Sequence, residues 1–423
     1  MKNRLLLTLL FSFFSTLVHA QSSTSAQPSA DSGKVEFFVQ STKDNPDYTV
    51  ACRILSNQVK ENPTDAELRY FLGYSLDRTN SNDGKSMCAI NKELTLKASE
   101  QFEKVNMLQP KYLGEKIVLD PYSKLSAIWG SLGMAYLNRA QADSATWAFK
   151  QGKSRGGFIE PVLKLNRDML QQCEKNAFII TSGDNITIPC WYLQTIEQYR
   201  TDVTVIDVSL LNTSWYPKYL KKAKKVHLTF SDDEIDSLSY INWETKELKI
   251  VDPKKSQKDL IWTLPPTYLN EYILVGDQLL LDIIKNNFFT HAIYFSLQAD
   301  SSYNLYLGNH LKDRGLVQQI VQDTTTQNID HKNVLTSIKS FNLNGVEKEN
   351  IIKSDDAIGM MNYYRFVYYK NAYILYEQHK LRDAKALMDA MDVNFPIEKL
   401  PYESVTQEKG YHEFQQFLNS QVE

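Results

Sequence analysis

Residues 177–208 read AFIITSGDNITIPCWYLQTIEQYRTDVTVIDV, and they decide the fold of the chain's centre. The opening AFIIT (177–181) is a short apolar, β-branched run, the pattern of a buried strand. Ser182-Gly183-Asp184-Asn185 follows as a turn. Pro189, Trp191 and Tyr192 then sit in a helix running to Arg200, and VTVIDV (203–208) is a second buried strand. Strand, turn, helix and strand within about thirty residues make a βαβ unit, whose strands must run parallel because the helix carries the chain back to the starting edge.

A helix over residues 160–173 precedes this unit. Beyond it, residues 277–286 read as a helix and AIYFS (292–296) as a third strand. Residues 225–230 and 247–251 read as edge strands or a hairpin. Residues 323–353 are polar with weak periodicity, an excursion with little regular structure. The expected centre is a small parallel-sheet βαβ domain over residues 161–355.

Upstream, residues 35–160 read as a tetratricopeptide-like helical solenoid. Trp129, Leu132, Gly133, Tyr136, Ala145 and Phe149 stand at that repeat's offsets, small residues letting two helices approach and large ones filling the gap. Leu72, Gly73, Ala98, Phe102 and Pro110 repeat the pattern with an insertion around residues 77–90, and Ala51, Leu55 and Pro63 match its second helix. The anchors Ala51, Ala98 and Ala145 are each 47 residues apart. Downstream, residues 356–423 read as a repeat-like helical hairpin and tail, with helices at 361–379 and 382–391. Tyr363, Tyr364, Tyr368, Tyr369, Tyr373 and Tyr376 cover all faces of the first. The fold class expected is therefore mixed α and α/β: solenoid, small sheet domain, helical hairpin.

The first twenty residues carry Lys2 and Arg4, then an apolar run to Val18 and a small residue at Ala20: a cleavable secretory signal peptide, too short to span a membrane. Residues 21–34, polar and rich in Ser, Ala and Gln, read as a disordered leader. No later apolar run is long enough to span, so the expected location is the periplasm or the exterior. Cys52, Cys88, Cys173 and Cys190 show no metal-ligand spacing, and the strand between the last two keeps them too far apart to bridge. The 423 residues are 43% hydrophobic and 23% charged with net charge −3, which excludes a disordered chain, a disulfide miniprotein and a field suited to nucleic acid. No nucleophile elbow, phosphate loop or dinucleotide motif appears, and neither metal nor cofactor is expected.

The run from Cys173 through TSGDNITIPCWYLQ and RTDVTVIDVSLLNTSWY resembles the soluble region of a bacterial family of unknown function, membrane proteins related to protein O-mannosyltransferases. The likeness continues in DQLLLDIIKNNFFTHAIYFS, in YNLYLGNHLKDRGLVQQIV and in the segment from Tyr363 to Pro396, covering residues 165–405. The family's membrane-embedded catalytic part has no counterpart in this sequence, so glycosyl transfer is not carried over. Its loop also reads Asn before the Gly and a second Asp after the Asn, where Ser182 and Ile186 stand here. An acid pair within that loop is not expected.

The residues after the two strands are the candidate site, because open parallel sheets bind ligands at their carboxyl edge. Asp184, Asn185 and Thr187 follow the first strand; Asn212, Thr213, Trp215 and Tyr216 follow the second. Carboxylate, amide and hydroxyl groups beside an aromatic face suit a sugar. The structural alternative is that Asp184 or Asn185 caps the helix while Trp191 and Trp215 are core. Asp207, inside an apolar strand, should be hydrogen-bonded or lie near the sheet end. The basic run Lys221, Lys222, Lys224 and Lys225 reads as a solvated helix end, or as a contact for an anionic glycan or lipid. The leading expectation is an exported, non-catalytic binding or scaffolding protein linked to envelope glycan or glycoprotein processing, with a protein or peptide partner on the repeat surface. The alternatives are a glycan-processing or glycosyl-transfer enzyme centred on Asp184, and a structural envelope component.

Overall fold

Small residues set the spacing of the N-terminal helices. The computed structural model describes residues 32–82, 84–255, 257–297, 301–322, 335–338 and 340–422. The expected signal peptide, residues 21–31 of the leader and residues 323–334 of the excursion lie outside them. Helices α1 (Ser32–Ser41), α2 (Thr49–Glu61), α3 (Ala66–Ser81), α4 (Lys92–Leu108), α5 (Pro121–Asn138), α6 (Ala142–Ser154) and α7 (Glu160–Gln171) follow in order. Each from α1 to α5 packs on the next. Ala51, Ala98 and Ala145 are wholly buried, and the Phe102 and Phe149 rings lie against Gly73 and Gly133. Asp65, Asn91 and Asp120 each cap a helix through two backbone N–H groups. The leader expectation fails at its end: Ser32, Gly33 and Lys34 already belong to α1.

The centre contains β1 (Phe178–Thr181), α8 (Asp184–Ile196), β2 (Thr204–Asp207), α9 (Trp215–Lys224), α10 (Asp232–Ser237), β3 (Ile241–Asn242), β4 (Lys246–Ile250), β5 (Leu260–Leu264), β6 (Tyr272–Ile273), α11 (Val275–Asn287), β7 (Ile293–Ser296), β8 (Leu311–Asp313) and β9 (Val317–Ile320). The principal sheet has the order β2-β1-β7-β9-β8. β1 runs parallel to β2, Thr181 opposite Asp207, and parallel to β7. The sheet is nevertheless mixed, not purely parallel, because the β8–β9 hairpin adds two antiparallel strands beside β7. β4 covers most of the strand expected at 247–251, but its antiparallel partner is β5, which was not expected.

Residues 225–230 are not a strand. Residues 227 and 229 bond to α11 instead: Thr229 N–H and hydroxyl donate to Asp282 at 2.7 and 2.6 Å, and Asn287 brackets His227 from both sides at 3.2 and 2.8 Å. With those groups engaged, no sheet ladder is required. The helix expected to reach Arg200 ends at Ile196. The Arg200 guanidinium turns back to the carbonyls of Leu170, Cys173 and Glu174. Lys221 donates to Phe230 O and Asp232 at the end of α9, the last turn of which holds Lys222 and Lys224. All four cysteines are free.

The C-terminal part adds α12 (Lys348–Ile352), α13 (Asp355–Glu377), α14 (Leu381–Asn394) and α15 (Val405–Val422). α12 lies in the stretch expected to be irregular, and α15 occupies most of the expected tail. α15 explains the tyrosines: Tyr369, Tyr373 and Tyr376 pack around Phe414, while Tyr364 and Tyr368 are fully buried on other faces.

A carboxyl pair joins the first helices to the last. Asp120 caps α5, and its Oδ2 also accepts from the Ser354 hydroxyl at 2.5 Å and from Asp356 N–H at 3.1 Å. Asp356 Oδ2 accepts from Asp120 N–H at 2.9 Å. Lys116 and Lys111 face this cluster but pair with Asp355, at 2.7 and 3.3 Å. Burial raises Asp120, and burial together with the Asp120 charge pushes Asp356 up to about 7, the nearby Lys116 offsetting only part. A carboxyl that holds its proton more tightly folded than unfolded favours folding at low pH. That contribution fades as pH rises from about 4 through about 7. Asp356→Asn keeps an acceptor for Asp120 N–H and removes the titrating charge. Its stability gain over the parent should therefore grow by on the order of 1–2 kcal/mol between pH 5 and pH 8. Urea unfolding at the two pH values measures this, and a gap independent of pH contradicts the raised proton affinity of Asp356.

Candidate functional site

The register of β1 and β2 sets Thr181 beside Asp207 at the carboxyl edge of the sheet. Gly183, at φ 85° and ψ 151°, then turns the chain sharply into α8, a conformation that essentially only glycine adopts. Asp184 is thus the first residue of α8, where the helix dipole favours a carboxylate. Gly183 occupies the cap position and no side chain caps the helix, so Asp184 and Asn185 are not caps.

Helix α5 lies directly on α8. A Cβ on Gly130 would stand 2.1 Å from Ile188 Cγ2, so any other residue would force Ile188 or the helices themselves to shift. This contact brings the helical wall against the sheet edge and encloses a cleft of about 220 Å³. Asp77 and Arg78 of α3 and Lys124 of α5 face Asp184, Thr187, Trp191 and Asp207 across it. Lys124 donates to Asp77 at 2.5 Å, a pair almost wholly shielded from solvent, and lies 4.5 Å from the Tyr74 ring centre. Among the described residues the Asp184 carboxylate has no hydrogen-bond partner. Water reaches it through the cleft, but protein surrounds it closely. That desolvation raises its pKa above the ordinary carboxylate range, Lys124 and Arg78 opposing the shift and Asp77 adding to it.

Asp207 is 5% exposed. Its Oδ2 accepts from the Thr187 hydroxyl at 2.5 Å and its Oδ1 from Leu210 N–H at 2.9 Å, while its own N–H donates to Tyr216 Oη at 3.0 Å. The Thr181 hydroxyl lies 2.8 Å from that of Thr187. Burial pushes Asp207 up to about 6; the Thr187 bond lowers it and the Asp184 charge raises it. One cleft therefore holds two carboxyls with raised proton affinity beside one buried ion pair. Among the described residues no three His, Cys, Asp or Glu side chains converge as metal ligands.

Residues 163–237 match the family described as TMEM260-associated domain 2. The match fits a TMEM260-like, O-mannosyltransferase-related family. It takes in Asp184, Thr187 and Asp207, whereas Asp77, Arg78 and Lys124 lie upstream of it. No curated protein matches the chain.

The pocket expected from both loops does not form. Asp184 and Thr187 face the cleft, but Asn185 offers its carbonyl to Asn166 at 2.9 Å. Asn212 Oδ1 accepts from Gly276 N–H at 2.9 Å, at a second hollow beyond Ser209. Thr213 donates to Leu210 O at 2.7 Å, and Tyr216 is buried beneath Asp207. Trp215 packs edge-on to Tyr216 and lines neither hollow, so the aromatic wall is Trp191 with Tyr74. The reason is directional: after β1 the chain enters α8 under α5, whereas after β2 it turns towards α11. Lys124, inside an otherwise apolar and small-residue helix face, is the signal that could have exposed the helical side of the cleft. Thr187→Val removes the strongest bond that holds Asp207 ionised. Its carboxyl midpoint should rise above about 6, at a stability cost of about 1 kcal/mol. Carbon-13 carboxyl titration reads the first, and a midpoint that stays or falls contradicts the assignment.

Proposed function

We propose that this chain is an exported, non-catalytic binding protein that holds a glycan in the cleft between its helical wall and the sheet edge, in the service of glycan or glycoprotein processing of the TMEM260-like kind. The observation that carries the reading is the unpartnered Asp184 carboxylate, set among the Lys124–Asp77 pair, Arg78 and the Trp191 ring in one cleft of sugar-like size. Sugar hydroxyls need fixed donors and acceptors, and their C–H faces need an aromatic surface. The matched family supports the same substrate class. The N-terminal helices are read as tetratricopeptide-like repeats whose outer surface takes a protein or peptide partner. Residues 1–20 are read as the export signal, so the protein recovered from the periplasm or medium should begin at Gln21. Direct glycan-array binding with calorimetric follow-up tests the central claim. Asp184→Asn should weaken binding by about 1–3 kcal/mol without lowering the melting temperature, since Asp184 caps nothing. A wild-type protein that binds no glycan on a broad array overturns the reading.

A second reading has its own observation. Asp207, titrating near 6 in the same cleft as Asp184, is a carboxyl able to donate a proton close to neutrality beside a second acid. That is the equipment of a glycan-processing enzyme. Turnover of a bound oligosaccharide that disappears in Asp207→Asn, with binding retained, would favour it over pure recognition.

A further inference from the structure

On the far side of Ser209 from the cleft lies a larger hollow of about 380 Å³. Ser209 lines both cavities, so the two adjoin at that residue. Six residues give the second hollow its chemistry: Ser209, Asn212, Thr267, Tyr268, Asp277 and Tyr303. Tyr268 and Tyr303 are 48% and 42% exposed, so their rings are open to a ligand instead of being used in the core. Asp277 Oδ2 is taken by the Thr267 hydroxyl at 2.5 Å and by Leu274 N–H at 2.9 Å. Its Oδ1 has no partner among the described residues. Among the described residues no Lys, Arg or His lines this hollow, which disfavours a phosphate or carboxylate ligand there.

We infer that the second hollow is a subsite for a further sugar of the same neutral glycan, so that the ligand is an oligosaccharide of at least two linked units crossing Ser209. The inference rests on the glycan reading of the cleft and adds the length of the ligand to it. Open aromatic rings beside a fixed carboxylate and a hydroxyl form a recognition surface for a neutral sugar ring: the rings cover C–H faces and the polar atoms take hydroxyls. Asn212, whose amide is held by Gly276, fixes the floor on which this surface stands. Binding energy from the second unit adds to that of the first because the linkage makes the second contact intramolecular.

Calorimetry with α-linked mannose oligosaccharides of one to four units, and with β-linked glucose oligosaccharides of the same lengths, tests this. In the series that binds, affinity should rise about tenfold from one unit to two or three and then level off. The Tyr268→Ala/Tyr303→Ala double variant should lose that gain and keep the single-unit affinity, while Asp184→Ala should weaken every length. Both tyrosines are exposed, so an unchanged melting temperature will separate lost contacts from lost fold. Equal affinity at all lengths, or a length gain that survives the tyrosine substitutions, overturns the subsite and leaves the cleft standing. No binding by any member of either series overturns the subsite and the cleft together.

Discussion

The close approach of α5 to α8 at Gly130 and Ile188 is the constraint on which the cleft depends. Neither the helices nor the sheet holds a complete site. α3 and α5 supply Asp77, Arg78 and Lys124, while the sheet edge supplies Asp184, Thr187 and Asp207. A missing side chain at residue 130 lets the two sets face each other at the distance of one helix on another, with interior-like packing on the apolar side. The cleft is thus a property of an interface, and its charges belong to both walls.

Within the cleft, the two acids behave differently because their surroundings differ. Asp207 is fixed by three hydrogen bonds at its carboxyl and backbone, so its raised pKa is the balance of burial against well-placed donors. Asp184 has no such donors among the described residues; the nearby cations restrain its shift only through space. A group that is rigid and satisfied suits an architectural or proton-holding role. One that is surrounded but unpartnered is available to a ligand, because no internal bond must be broken before it can act.

Much of the sheet was legible from residues 177–208, since buried parallel strands are written as apolar β-branched runs. β8 and β9 were not: LKD and VQQI are three and four residues long and carry polar side chains, too little for a periodicity to register. α15 escaped for a related reason, its buried positions Gln407, Tyr411, Phe414 and Leu418 being spaced through a Gln- and Glu-rich segment. At the site, the carboxyl-edge rule found Asp184 and Thr187, since strand direction alone fixes where a strand ends. It misplaced Asn212 and Trp215, because strand direction says nothing of where the following loop goes. Lys124 and Asp77 are brought in from distant helices, and no local pattern encodes that meeting.

The bonds between Asp120 and the Ser354–Asp356 turn have a bearing on how the chain reaches its final state. Asp120 is made early and can cap α5 at once, using one oxygen. Its other oxygen meets Ser354, so that bond must await 234 further residues. At ordinary synthesis rates of about 5–20 residues per second, that interval is on the order of ten to fifty seconds. During it the helical wall stands without its closing partner, and Asp120 remains open to water. Closing so long a loop costs chain entropy before the bond repays it, and the bond joins C-terminal helices to N-terminal ones.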